Sequence, residues 1–114
     1  MLTLIFKLLF AHAMADFSLQ TNAMAMGKNR NVDWEGAKQG GKRYAFWPYW
    51  LTAHALIHGG AVWVVTGNVL LGAVETLLHW LIDFAKCENW INIHFDQALH
   101  LVTKIAYVWF LLKA

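Results

Sequence analysis

His12 and Asp16 stand four residues apart, and the same interval separates His54 from His58, His79 from Asp83, and Asp96 from His100. On an α-helix, residues four apart lie on one face, one turn above the other. Each pair therefore aims two metal-ligating side chains in one direction. A chain with four such pairs is constrained to a fold in which four helical faces meet. The interval is also selective. Outside the polar stretch 27–46 the chain has 94 residues, of which 11 are His, Asp or Glu. Random placement of that many gives about one pair at the helical i, i+4 spacing. Five occur, because Glu75 stands four before His79. Every Asp outside the polar stretch is paired, and so are five of the six histidines.

Hydropathy says what surrounds those faces. The chain is 59% hydrophobic and 14% charged, where a soluble domain is roughly a quarter charged. Lys28, Arg30, Asp33, Glu35, Lys38, Lys42 and Arg43 crowd into 27–46 and leave four apolar segments. This pattern predicts an all-α fold: four transmembrane helices packed as a bundle, one domain over 1–114, with a polar loop at about 27–46. Mean hydropathy of +0.41 is modest for that class, which keeps a compact soluble helical bundle as the alternative. A formal charge of +2 is too weak for a nucleic-acid partner. Charges beside apolar segments suit a lipid bilayer with anionic headgroups better. Cys87 is the one cysteine, so neither an internal disulfide nor a zinc ribbon can form.

In chain order, residues 1–26 carry an apolar run from Leu2 to Phe10 followed by Ala-His-Ala and Ala-Met-Ala. The small-residue spacing resembles a signal-peptide cleavage site, but a basic n-region is missing and Lys7 interrupts the run. The segment reads as a retained first helix. Gly27, Gly36, Gly40 and Gly41 break any helix in the following loop. Its Gly/Lys content does not match the phosphate-binding GxxxxGK[ST] spacing, so it reads as a solvated loop. Pro48 suits the first turn of a second helix, and Gly59-Gly60 within it permits close helix packing. A third helix runs from Val69 to about Lys86, and a fourth, with Asn92 as a candidate N-cap, covers about 93–113. Loop lysines and arginines predict an inner-membrane, multi-pass protein with the 27–46 loop cytoplasmic and both termini outside. Four antiparallel helices then bring all four pairs to one layer, facing inward, because ionisable groups within a span rarely face lipid.

Imidazole nitrogen and carboxylate oxygen suit Zn²⁺, Mn²⁺ or Fe²⁺. The candidate ligands are His12, Asp16, His54, His58, His79, Asp83, Asp96 and His100, enough for one or two divalent ions, with zinc first and manganese or iron as alternatives. Helical bundles build dinuclear sites from facing helices, but with Glu-x-x-His pairs at i, i+3, so that di-iron signature is not matched. A metal pair can activate water and clamp a phosphoryl oxygen. The expected function is therefore a metal-dependent hydrolase acting on a phosphate-ester or lipid substrate. Glu75 and Gln20, each one turn beyond a ligand pair, are candidate supports for the ligands, and Glu75 is alternatively the candidate catalytic base. Lys104, one turn beyond His100, is placed to neutralise a carboxylate or to extend to the interface. Three rivals use the same residues: an ion- or proton-conducting transporter subunit, for which a homo-oligomer would supply the pathway, a purely structural metal site, and interhelical polar pairing without metal.

The stretch Leu9-Phe-Ala-His12-Ala-Met-Ala-Asp16-Phe-Ser-Leu-Gln20-Thr21 resembles the opening of a family of small bacterial and phage membrane proteins of unknown function. His54-Ala-Leu-Ile-His58, Glu75-x-x-x-His79-x-x-x-Asp83 and Phe95-Asp96-Gln97-x-Leu-His100 are similar to its later blocks, so the likeness spans all four predicted helices. A looser resemblance, in spacing alone, runs to prophage-type membrane-bound metal-dependent hydrolases and to all-helical zinc phospholipases and nucleases. It implies a metal more than it implies any substrate.

Overall fold

Helices begin where the sequence supplies a cap. Asn68 Oδ1 accepts from the Leu71 amide at 3.1 Å, Asn92 Oδ1 from Phe95 at 2.8 Å, and Thr21 Oγ1 from Met24 at 3.1 Å. Each satisfies one of the amides a first turn leaves free. In a computed structural model describing residues 1–114, these caps open α4 (Val69–Cys87), α5 (Ile93–Lys113) and α2 (Asn22–Gly27). Pro48 lies in the first turn of α3 (Trp47–Thr66), which Gly67 ends at φ 69°, the left-handed geometry glycine adopts without a Cβ penalty.

The first predicted helix is divided. α1 covers Leu2–Ala13, a π-helical turn follows over Met14–Ser18, and α2 starts after a break. The wide turn is closed by the Leu19 amide donating to Met14 O at 2.8 Å. Such turns insert a residue and re-aim the side chains around them; here the re-aimed residue is Asp16. The 27–46 segment is also more ordered than a solvated loop. It holds a single 3₁₀ turn (Glu35–Ala37) and a small hairpin in which β1 (Lys38–Gln39) pairs antiparallel with β2 (Lys42–Arg43). Gly40 and Gly41, at φ 57° and 77°, make the two-residue turn that fits such a hairpin. The loop then straps one end of α4. Arg30 pairs with Glu88 at 2.5 and 3.0 Å and lies over the Trp47 and Phe84 rings.

The long helices form a ring in the order α1, α3, α4, α5, with α3 against α4 the most extensive contact. Gly59 and Gly72 set that contact. A Cβ on Gly72 would meet Gly59 O at 2.8 Å and Trp63 Cβ at 2.9 Å, and one on Gly59 would collide with Thr76 Oγ1. Gly60 faces open space, so of the two adjacent glycines only Gly59 serves the packing. One end of the ring is closed by an apolar cluster of Leu8, Val62, Leu71, Tyr107 and Val108. The middle is a polar layer. His54, His58, Glu75, His79, Asp83, Asp96, His100 and Lys104 are all buried, while Leu2, Phe6, Val64, Leu77 and Trp109 are exposed on the outer faces.

The transmembrane expectation is corrected here. No helix is long and apolar enough to cross a membrane. α3 and α5 have 20 and 21 residues, about the length a span requires, but not the apolarity. His54, His58, Pro48 and the aromatic residues dilute α3, and Asp96, His100 and Lys104 dilute α5. α4 carries Glu75, Asp83 and Lys86, and the first predicted span breaks at the π turn. The four-span bundle, the multi-pass inner-membrane placement, the cytoplasmic loop and the outward termini all rested on those spans and fall with them. What overstated them was chain-wide composition, which does not test each helix for apolarity along its length.

Candidate metal centre

The α3–α4 contact brings two histidines face to face. The rings of His58 and His79 stack with centroids 3.6 Å apart and 17° between planes. His79 in turn stacks on His100 of α5 at 4.3 Å. His54, one turn before His58, meets His79 edge-on at 4.9 Å. From the π turn, Asp16 inserts its carboxylate among them, Oδ1 lying 3.0 Å from His58 Nε2 and 3.3 Å from His54 Nε2. Ligand atoms of Asp16, His54, His58 and His79 all lie within 4.8 Å of one another. Four donors at zinc–nitrogen bond lengths around a tetrahedral ion stand about 3.3 Å apart, so the set would contract by up to about 1.5 Å to close on an ion.

Hydrogen bonding leaves that set room for a further group. Neither nitrogen of His79 has a hydrogen-bond partner, although the residue is 1% exposed, and the Nδ1 atoms of His12, His54 and His100 also lack one. Buried polar atoms are ordinarily paired. Burial favours the neutral form of His79 and His58, the state in which imidazole binds metal: it pushes His79 down to about 2, and His58 down to about 4 against the pull of Asp16. Burial opposes the charge on Asp16, but contacts from His54, His58 and Gln97 outweigh it and hold the carboxylate well below its ordinary range. The donor set is thus one carboxylate and three imidazoles.

A model of the family described as "Protein of unknown function (DUF3307)" matches residues 4–114. The chain belongs to the DUF3307 family. This agrees with the resemblance of its four blocks to an uncharacterised family. No curated protein and no solved structure matches it significantly.

The remaining predicted residues of this DUF3307 chain divide in two. Glu75 and His100 form a second group with His79, again within 4.8 Å. Glu75 Oε1 is 2.5 Å from Lys104 Nζ, and Oε2 accepts from the Tyr107 hydroxyl at 2.7 Å. Burial would raise its pKa, but His79, Lys104 and Tyr107 hold it at about 2, which makes it a weak proton acceptor. His12 lies at the edge, 3.5 Å from Asp16 Oδ2, and Asp96 Oδ1 is 3.3 Å from His100 Nε2. Asp83 is turned to other partners. Its Oδ2 takes Lys28 at 2.6 Å and its Oδ1 takes Lys86 at 2.9 Å, with His54 Nε2 at 3.6 Å. Gln20 donates to the Asp16 carbonyl oxygen at 3.2 Å, supporting the π turn rather than a ligand atom.

Three contributors lay outside the predicted set. Gln97 Nε2 donates to Asp16 Oδ2 at 2.9 Å and to Asp96 Oδ2 at 3.2 Å, and its Oε1 is 3.1 Å from His12 Nε2. It follows Asp96 directly and so falls off the i, i+4 stripe. Lys28 is 4% exposed yet begins a stretch that composition marks as solvated. Tyr107 did carry a signal, three residues after Lys104 on the face of Asp96, His100 and Lys104.

A cavity of about 220 Å³ between α1 and α5 reaches this layer, lined by Leu9, His12, Gln97, His100, Leu101 and Lys104. A larger one, about 380 Å³, lies under the 27–46 loop among Trp34, Tyr44, Phe46 and Trp47 and shares no residue with the polar layer.

Proposed function

We propose that this chain is a metal-binding helical protein whose centre takes a divalent ion, zinc first, on Asp16, His54, His58 and His79, and that it acts as a metal-dependent hydrolase on phosphate-ester or lipid substrates. The observation that carries the proposal is His79: buried, neutral, without a hydrogen-bond partner on either nitrogen, and within ligand distance of three other donors from two further elements. A divalent ion bound there would supply Lewis acidity and lower the pKa of a coordinated water. The cavity beside His12 supports substrate access. Because an amide oxygen only accepts, the contact with Gln97 Oε1 puts the His12 proton on Nε2 and leaves the Nδ1 lone pair free. His12 lines the cavity and Glu75 does not, so His12 is the one of the two placed to meet an entering water. Glu75, tied to Lys104 and Tyr107, serves as an anchor. The resemblance in spacing to prophage-type hydrolases favours the same class.

A structural metal site is the second reading, favoured by the near-complete burial of His54, His58 and His79. The pathway reading requires spanning helices and is set aside. The exposed apolar faces support lipid or a second copy of the chain as a neighbour of the bundle's exterior.

The test is metal content. Protein purified without a metal-affinity column, from cells supplied with zinc, manganese and iron, is analysed by mass spectrometry beside His79→Ala. Near-stoichiometric metal that is lost in the variant is expected. Metal-dependent turnover of a phosphate monoester, diester or phospholipid then separates the catalytic from the structural reading. Absence of metal from the wild-type protein would sink both.

A further inference from the structure

Glu75, His79 and His100 offer a second set of converging donors that shares His79 with the first. Taken by itself, that arrangement describes a dinuclear centre bridged by His79, which would have to give up its N–H proton to bind two ions as an imidazolate. Lys104 alters it. The lysine is 4% exposed, and its ammonium nitrogen lies 2.5 Å from Glu75 Oε1, the same oxygen that approaches His79 Nδ1 at 3.6 Å. Tyr107 occupies Oε2. Both oxygens of Glu75 are therefore engaged, one of them by a full positive charge. A divalent ion at that oxygen would stand within a few ångströms of the ammonium in a desolvated layer, where like charges repel strongly.

We propose that Lys104 is a built-in second cation: its ammonium takes the position beside Glu75 that a second metal ion would occupy, so the centre holds one ion, on Asp16, His54, His58 and His79. The proposal rests on the metal-binding reading above and deepens it. In two-metal sites the second ion helps to clamp an anionic oxygen of the substrate. Lys104 lines the α1–α5 cavity together with His12, Gln97 and His100, so a fixed positive charge meets an entering anion next to the single ion. The substrate group favoured is a phosphoryl or carboxyl oxygen, with Leu9 and Leu101 walling the entrance for an apolar substituent. Asp83 likewise faces cations from the chain, Lys28 at 2.6 Å from Oδ2 and Lys86 at 2.9 Å from Oδ1.

The experiment is a stoichiometry measurement. Wild-type protein, Lys104→Met, Lys104→Arg and the double variant Glu75→Gln/Lys104→Met are equilibrated with excess zinc, freed of unbound metal by gel filtration, and analysed for zinc per chain, with helicity checked by circular dichroism. One zinc is expected for wild type, one for Lys104→Arg, two for Lys104→Met, and one for the double variant, which removes a ligand together with the competing cation. Two zincs in wild type, or one in a folded Lys104→Met, would overturn the proposal. Should Lys104→Met fail to fold because Glu75 is left unpaired, Lys104→Gln, which keeps a donor to Glu75 without the charge, replaces it with the same expected count of two. If neither folds, wild type decides: one zinc upholds the assignment and two refute it. No zinc in wild type under these conditions would instead remove the metal-binding reading itself, a distinct outcome.

Discussion

Asp16 and Asp83 began as equals. Both stand four residues from a histidine, both point into the same buried layer, and both approach His54 Nε2, at 3.3 and 3.6 Å. Their surroundings differ. Asp16 is faced by imidazoles and an amide, with no lysine on its carboxylate. Asp83 is held by Lys28 at 2.6 Å and Lys86 at 2.9 Å. The first environment leaves lone pairs and ring nitrogens available to a cation. The second has already supplied its cations from the chain. The i, i+4 interval fixes which face a side chain occupies, and what else reaches that face decides whether a carboxylate is a ligand or half of an ion pair.

The sharpest way to break the comparison is at the lysine end. Lys28→Met leaves Asp83 with one ammonium, that of the partly exposed Lys86. Removing one partner of a buried pair costs about 3–5 kcal/mol, and with Lys86 remaining the loss should fall near about 3 kcal/mol by denaturant unfolding. The double variant Lys28→Met/Asp83→Leu should recover much of it, since an apolar replacement of both partners is often near neutral. A loss below about 1 kcal/mol in the single variant would mean that the ion pair is not maintained.

A smaller effect should separate the two ends by pH in metal-free protein. Burial holds His58 at about 4 and His79 at about 2, against an ordinary value of 6.5. Below pH 6.5 the unfolded chain therefore binds protons that the folded chain refuses. The histidine contribution is complete above pH 6.5 and is lost as pH falls, toward 4 for His58 and on toward 2 for His79. At the lysine-paired carboxylates the window is lower. Asp83 and Glu75 are held at about 2, from ordinary values of 3.8 and 4.5, so their contribution is complete above about pH 4.5 and is lost toward pH 2. Stability measured between pH 8 and 2.5 should begin to decline near pH 6.5 and fall more steeply below about pH 4.5, and bound metal should flatten the upper part. A single decline confined to below pH 4 would contradict the neutral, buried histidine stack.

Much of the site was legible because helical geometry converts spacing directly into direction. The pairs on α3 and α4 needed nothing beyond the 3.6-residue repeat to face one another, and the cap at Asn92 marked the start of α5. Lys104, continuing the Asp96–His100 interval, was readable as a partner for a carboxylate, and Glu75 proved to be that carboxylate. Other features depended on tertiary contact. The π turn that delivers Asp16 has no residue signature in Met14–Ser18. Lys28 reaches Asp83 across 55 positions of sequence, from a segment whose charge pattern suggested solvent. Gln97 works from beside the stripe rather than on it. The membrane-spanning reading failed because chain-wide composition does not measure apolarity helix by helix, and each long helix carries polar groups that dilute it.

The most direct measurement of the central claim is zinc affinity, by competition with a chromogenic chelator at neutral pH, for Asp16→Asn and Asp83→Asn beside the wild-type protein. Loss of a ligand should weaken binding at least about 100-fold, beyond what supporting residues usually contribute. Asp16→Asn is therefore expected to lose at least that factor, while folded Asp83→Asn stays within about threefold of wild type. Equal losses in the two variants, or a larger loss for Asp83→Asn, would contradict the assignment of the centre to the histidine-faced carboxylate.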